Sequence, residues 1–154
     1  MTGAPRALAV LVAALVATAA LSACGPKNDT PAAYTPATLE PLPSATATLP
    51  GYAHVRKVVL TPLAERRVRL QTVTSVPGGR GETDVPITAI IYDPDGVPWV
   101  YVPDGGHAYT RHAITIARYD GDTVALGAGP TAGTPVVVVG AAELLGVEYG
   151  VGEE

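Results

Sequence analysis

An all-β fold, a small roll or barrel of short, mostly antiparallel strands with one short helix, is what this 154-residue sequence predicts. Three observations carry the prediction. Runs of Val and Ile recur from about position 54 onward, most of them only four to seven residues long, the length of strands rather than helices. Gly, Asp and Pro clusters punctuate them, as in Asp93-Pro94-Asp95-Gly96, Asp104-Gly105-Gly106 and Asp120-Gly121, and such clusters set tight turns. No stretch carries a sustained heptad pattern, so long helices are not expected.

Taken in order, Val55 to Leu60 reads as a strand. Thr61-Pro62 follows as cap and first helical position, since the Thr oxygen accepts an orphan amide and Pro loses nothing there. A short helix over Leu63 to Arg69 fits, with Glu65 early and Arg66, Arg67 and Arg69 late, the polarity the helix dipole favours. Val73 to Val76 is a strand, Pro77 to Glu82 an exposed loop, and Pro86 to Tyr92, Pro98 to Val102, Ala108 to Ala117 and Thr123 to Leu126 are strands joined by turns. Pro135 to Val139 is the most hydrophobic strand, and its valines predict burial on both faces. Ala141 to Leu145 is expected to make one helical turn stopped by Gly146, and Val147 to Val151 a last edge strand.

Ahead of this domain lie two segments of different composition. Residues 1–23 read as a lipoprotein signal peptide: Arg6, the apolar run Ala7 to Ala20, then Leu21-Ser22-Ala23-Cys24. The run is shorter than the roughly 20 apolar residues a span needs and ends in Gly25-Pro26-Lys27-Asn28-Asp29. Cys24, the only cysteine, is the expected lipidation site and the first residue of the mature chain. Lipid on Cys24 leaves no thiol for a disulfide, zinc or thiol catalysis. Residues 24–53 are rich in Pro, Ala and Thr and read as an extended tether, and residues 54–154 as the folded domain.

Charge narrows the partners. The formal net charge is -4, and loss of Arg6 makes the mature chain one unit more acidic, so nucleic acid is not an expected partner. With no dense Lys and Arg cluster in the sequence, attachment to the membrane is assigned to the lipid. The expected location is the extracytoplasmic side of a cell membrane, periplasmic or at the cell surface.

Chemistry is sparse. His107 and His112 are an odd number apart on one expected hairpin and point to opposite faces, and His54 lies before the first strand. No metal site is expected, and no cofactor beyond the lipid. Asp93-Pro94-Asp95-Gly96 lacks the third acidic ligand and the closing Glu of a calcium loop, and reads as a turn. Ser44 and Ser75 sit in no nucleophile elbow, and no dinucleotide fingerprint is present. The expectation is a non-enzymatic protein without catalytic residues.

Trp99, Tyr101, Tyr109 and Arg111 are the residues of a type that dominates binding surfaces. Trp99 and Tyr101 share one strand face and Tyr109 and Arg111 share one face of the neighbouring strand. They are candidates for a partner-binding surface, set against a cross-strand cluster in the core.

Val58-Val59-Leu60-Thr61-Pro62 with Ala64 and Arg67, Trp99-Val100-Tyr101-Val102, Arg111, Gly129 to Gly133, Val136 to Gly140 and Ala141-Ala142-Glu143-Leu144-Leu145 together resemble a known pattern. They are similar to the membrane-proximal domain of periplasmic adaptor subunits, or membrane fusion proteins, of heavy-metal tripartite efflux systems. Leu63, where the family often has Glu, departs from it. In that family the two chain ends build this domain and the intervening segments form a barrel, a lipoyl-like domain and a helical hairpin. Here only the loop around Pro77 to Asp84 intervenes, so the resemblance is to the membrane-proximal domain alone. It implies a lipid-tethered accessory protein docking on a membrane transporter or a full-length adaptor. The alternative is a free-standing lipoprotein that binds a small ligand or serves as a structural part of the cell envelope.

Overall fold

In the computed structural model the described residues are 34–151. The fold is all-β, with eleven strands and three short helices among them. In chain order these are β1 (Ala37–Pro41), α1 (Ser44–Ala47), β2 (Arg56–Leu60), α2 (Pro62–Val68), β3 (Gln71–Thr74), β4 (Val76–Pro77), β5 (Thr83–Pro86), β6 (Ile91–Tyr92), β7 (Pro98–Gly105), β8 (Ala108–Ala113), β9 (Thr115–Asp120), β10 (Thr123–Ala128), β11 (Pro135–Val139) and α3 (Ala141–Glu148). They make a five-stranded sheet in the order β1-β2-β8-β7-β6, a four-stranded sheet β4-β5-β10-β9 and a pair β11-β3. All pairings between these strands are antiparallel. These sheets are open, so the architecture is a roll and not the closed barrel that was the alternative.

The strand β7 organises the interior. Trp99 and Tyr101 point into one core with Val58, Leu60, Tyr109, Val137 and Leu144. Val100 and Val102 point into a second core with Val85, Ile114, Val124, Leu126 and Val136. Alternation along one extended strand therefore feeds two cores from its two faces. β11 does the same on a smaller scale through Val136 and Val137, while Val139 at its end is exposed. The expected double-sided burial of the valine run holds at its centre and fails at its edge.

Several boundaries differ from expectation for identifiable reasons. Of the stretch 24–53 expected to be a tether, the residues from Thr35 onward belong to the compact unit. β1 pairs with β2 from Ala37↔Leu60 to Pro41↔Arg56, Leu42 is buried, and the Tyr52 hydroxyl accepts the Ala113 amide at 2.8 Å. Pro41 ends a strand at the rim of the sheet, where proline costs no ladder bond. The strand expected over Ala108 to Ala117 is broken at the buried Ile114, where the chain passes from the first sheet to the second. Such corners arise where strands switch sheets. The expected edge strand from Val147 is instead the end of α3, which continues through Gly146 to Glu148.

The helix α2 forms as its sequence dictates. Thr61 is the cap, its Oγ1 accepting the Ala64 amide at 3.2 Å, and Pro62 opens the helix. Arg69 closes it in the left-handed conformation with φ 53°, the usual terminator geometry though normally glycine's. Ala64 is its buried residue.

Candidate functional site

The four residues singled out from sequence do converge, but inside the protein. Trp99, Tyr101, Tyr109 and Arg111 are each at least 96% buried, which removes them from direct contact with a partner and corrects their assignment to a partner-binding surface. Register explains the convergence: β7 and β8 place Tyr101 directly opposite Arg111 and Pro103 opposite Tyr109. Residues directly opposite share a face.

A buried charge cluster results. Arg111 donates from Nε to Glu148 Oε1 at 3.0 Å. Tyr101 donates its hydroxyl to Glu148 Oε2 at 2.6 Å, and the Arg56 amide donates to Glu148 Oε1 at 3.0 Å. One carboxylate from α3 thus satisfies a side chain on β7, a side chain on β8 and the backbone of β2. The Arg111 guanidinium lies 4.5 Å from the Trp99 ring centroid and 5.3 Å from that of Tyr149, within cation–π range of both. Its Nη1 lies 3.8 Å from Asp93 Oδ2 and has no hydrogen-bond partner among the described residues.

Asp93 holds the other side of this cluster. Its Oδ1 accepts the amides of Asp95 and Val97 at 3.0 and 2.8 Å, and its Oδ2 accepts Trp99 Nε1 at 3.0 Å. Gly96, at φ 78°, completes the turn. Burial works to raise the Asp93 carboxyl, but the bonds from Val97, Trp99 and Asp95 and the Arg111 charge outweigh it, leaving the carboxyl below its ordinary value. Burial, then the Glu148 charge, drive the Tyr101 hydroxyl far up, so it remains a donor at any working pH.

A second polar cluster joins α2 to the turn between β7 and β8. Glu65 accepts from the Tyr109 hydroxyl and meets His107 Nδ1. The Tyr109 bond lowers the Glu65 carboxyl most, against burial, with His107 adding to the lowering. His107 itself is an exposed turn residue at φ 65°. His112 lies half-buried on β8, and burial lowers its basicity. Neither cluster is a metal-ligand set: among the described residues no group of three or more His, Cys, Asp or Glu is arranged to hold an ion.

Glu148 is the residue that sequence reasoning missed. It falls just past Gly146, which reads as a stop, and nothing local signals its burial. The one available signal was charge: a strand arginine on the same cluster as Trp99 and Tyr101 needs a buried anion. Cys24, the expected lipidation site, lies outside the described residues. Among those residues, no helix is long and apolar enough to cross a membrane. No family model, curated protein or solved structure matches this chain.

Proposed function

We propose that this chain is a lipid-anchored, non-enzymatic extracytoplasmic protein, held through Cys24 and docking on a membrane transporter or a full-length adaptor. The observation that carries the reading is how the two halves of the resemblance come together. The opening half contributes β2 and the closing half contributes β8, and these two strands pair directly, Val58 opposite Tyr109. Glu148 then bonds to both halves, through the Arg56 amide and the Arg111 guanidinium. Between the halves, β4 and β5 form a tight hairpin with Val76 opposite Asp84 and Pro77 opposite Thr83, and the Gly78 amide bonds the Glu82 carbonyl at 2.8 Å. The chain enters and leaves this loop side by side. That geometry fits a domain whose long insertion has been replaced by a turn, at little entropic cost.

The test is purification of the lipidated protein from gently solubilised membranes, with Cys24→Ser as the control. Enrichment of a transporter or adaptor with the lipidated form supports docking and names the system. If no membrane protein is enriched, docking is rejected and the free-standing ligand-binding alternative takes its place. A Cys24→Ser protein with a cleaved signal and full membrane retention would contradict the lipid as sole attachment.

A further inference from the structure

The tyrosines of the folded unit fall into two groups. Tyr101 and Tyr109 give their hydroxyls to Glu148 and Glu65, and Tyr52 packs edge-on against Trp99. Tyr92 and Tyr119 are instead 49% and 54% exposed, and their hydroxyls meet each other at 2.7 Å, the ordinary length of a hydrogen bond between two hydroxyls.

Their positions give the contact meaning. Tyr92 ends β6, the last strand of the five-stranded sheet, and Tyr119 lies on β9, the last strand of the four-stranded sheet. The contact therefore ties the rim of one sheet to the rim of the other, between residues 27 positions apart. Both rings leave a fixed backbone. Tyr119 lies opposite the fully buried Val124, and opposite residues share a face. Tyr92 lies opposite Pro98 and directly precedes Asp93, whose carboxylate is held by the Asp95 and Val97 amides and the Trp99 indole. Ahead of β6, the Ile87 amide donates to the Asp122 carbonyl at 2.8 Å, which fixes this part of the chain to the turn between β9 and β10. We propose that Tyr92 and Tyr119 are a site of oxidative coupling, at which a peroxide-driven one-electron oxidant joins the two sheet rims through a dityrosine bond.

The chemistry suits the geometry. The oxidant is hydrogen peroxide acting through a haem peroxidase. Each phenol gives up one electron and its hydroxyl proton, the two radicals join through the ring carbons beside their oxygens, and the two displaced ring hydrogens move onto those oxygens. One peroxide is reduced to two waters, and the protein loses two hydrogens. Exposure lets the oxidant reach both rings and lets the rings turn, while the fold holds the partner radical close, which favours coupling within one molecule over coupling between two. No cysteine lies in either sheet, so a disulfide cannot make this link. A bond between these rims closes a long loop, and like a disulfide it stabilises by restricting the unfolded chain.

The test treats the full purified protein with a haem peroxidase and limiting hydrogen peroxide, and reads dityrosine by its fluorescence and by peptide mass spectrometry. At about 10 μM protein, a partner held at millimolar effective concentration outcompetes a second molecule by about a hundredfold. The expected product is a monomer two hydrogens lighter, in which the peptides carrying Tyr92 and Tyr119 are joined. It should melt about 10 °C above the untreated protein. Tyr92→Phe and Tyr119→Phe should each abolish the product, and both substitutions fall on exposed rings. Tyr34 and Tyr149, 48% and 46% exposed, are the internal comparison, because coupling governed by exposure alone would join them equally and yield dimers. Dimers linked through Tyr34 or Tyr149, or the absence of a joined Tyr92 and Tyr119 peptide, overturn the proposal. A joined product with an unchanged Tm overturns the role of the bond as a staple between the sheets.

Discussion

The backbone amide of Arg56 donates to the side chain of Glu148, 92 positions later, at 3.0 Å. The start of β2 is thereby latched by the last helix, and the latch is shared with Arg111 and Tyr101.

Glu148→Ala should destabilise the protein by about 3–5 kcal/mol, because it leaves Arg111 buried with its main counter-charge removed. Urea unfolding measures this. The paired substitution Arg111→Met with Glu148→Leu should recover much of the loss, and a double variant no better than the single one would mean that the packing of α3 is at fault.

Leu42→Ala should cost about 2–4 kcal/mol, the range for a leucine removed from a core. Leu42 belongs to the same core as Val55, Trp99 and Tyr101. A change within a free tether would cost nothing, so the unfolding midpoint separates the two situations directly.

Gly146→Ala should raise stability by about 0.5–1 kcal/mol, since alanine is the better helix former and the unfolded chain loses freedom. A Cβ there meets only Val151 Cβ, at 4.0 Å. A rise in Tm is the expected outcome.

Gly78→Ala should act in the opposite direction, by about 1–3 kcal/mol. Its Cβ would press into the Asp84 carboxylate, 2.9 Å from Cγ, and Asp84 Oδ1 is already buried without a hydrogen-bond partner among the described residues. Replacing Gly79-Arg80-Gly81 with a two-residue Asn-Gly turn should, by contrast, leave the Tm nearly unchanged, as that turn type suits a hairpin.

Acid should weaken the fold partly through Glu65. Its carboxyl is lowered by the Tyr109 bond and by His107, so below the unfolded value of about 4.3 the unfolded state binds the proton first. The contribution is complete above that pH and is lost as pH falls through the lowered native value. Glu65→Gln should therefore be less stable than the parent at neutral pH, with the gap narrowing in acid. A pH-independent gap in unfolding free energy would exclude this linkage.

What was legible in the sequence was local. Thr61-Pro62 specifies the start of α2 because cap and proline act within one turn, and the Asp93 to Gly96 turn is set by its own side chain and glycine. What was not legible depends on distant partners. β1 has the composition of a linker, and only its pairing with β2 makes it a strand. Gly146 signals a helix end, yet burial of Leu144 and the bonds to Glu148 carry α3 past it. The aromatic and arginine residues on β7 and β8 suit a partner surface or a core cluster equally by their spacing, and it is Glu148, beyond the expected stop at Gly146, that holds them in the core.

The pairing of β9 with β10 carries a consequence for company. Two register shifts interrupt it, between Ala125 and Leu126 and again between Leu126 and Ala128, and β9 forms the free rim of its sheet with Arg118 and Asp120 exposed along it. Bulges twist a rim out of plane and charges on it repel an incoming strand. Copies of this domain gathered at high density therefore meet at an edge that does not zip, and the chain keeps its own sheet to itself.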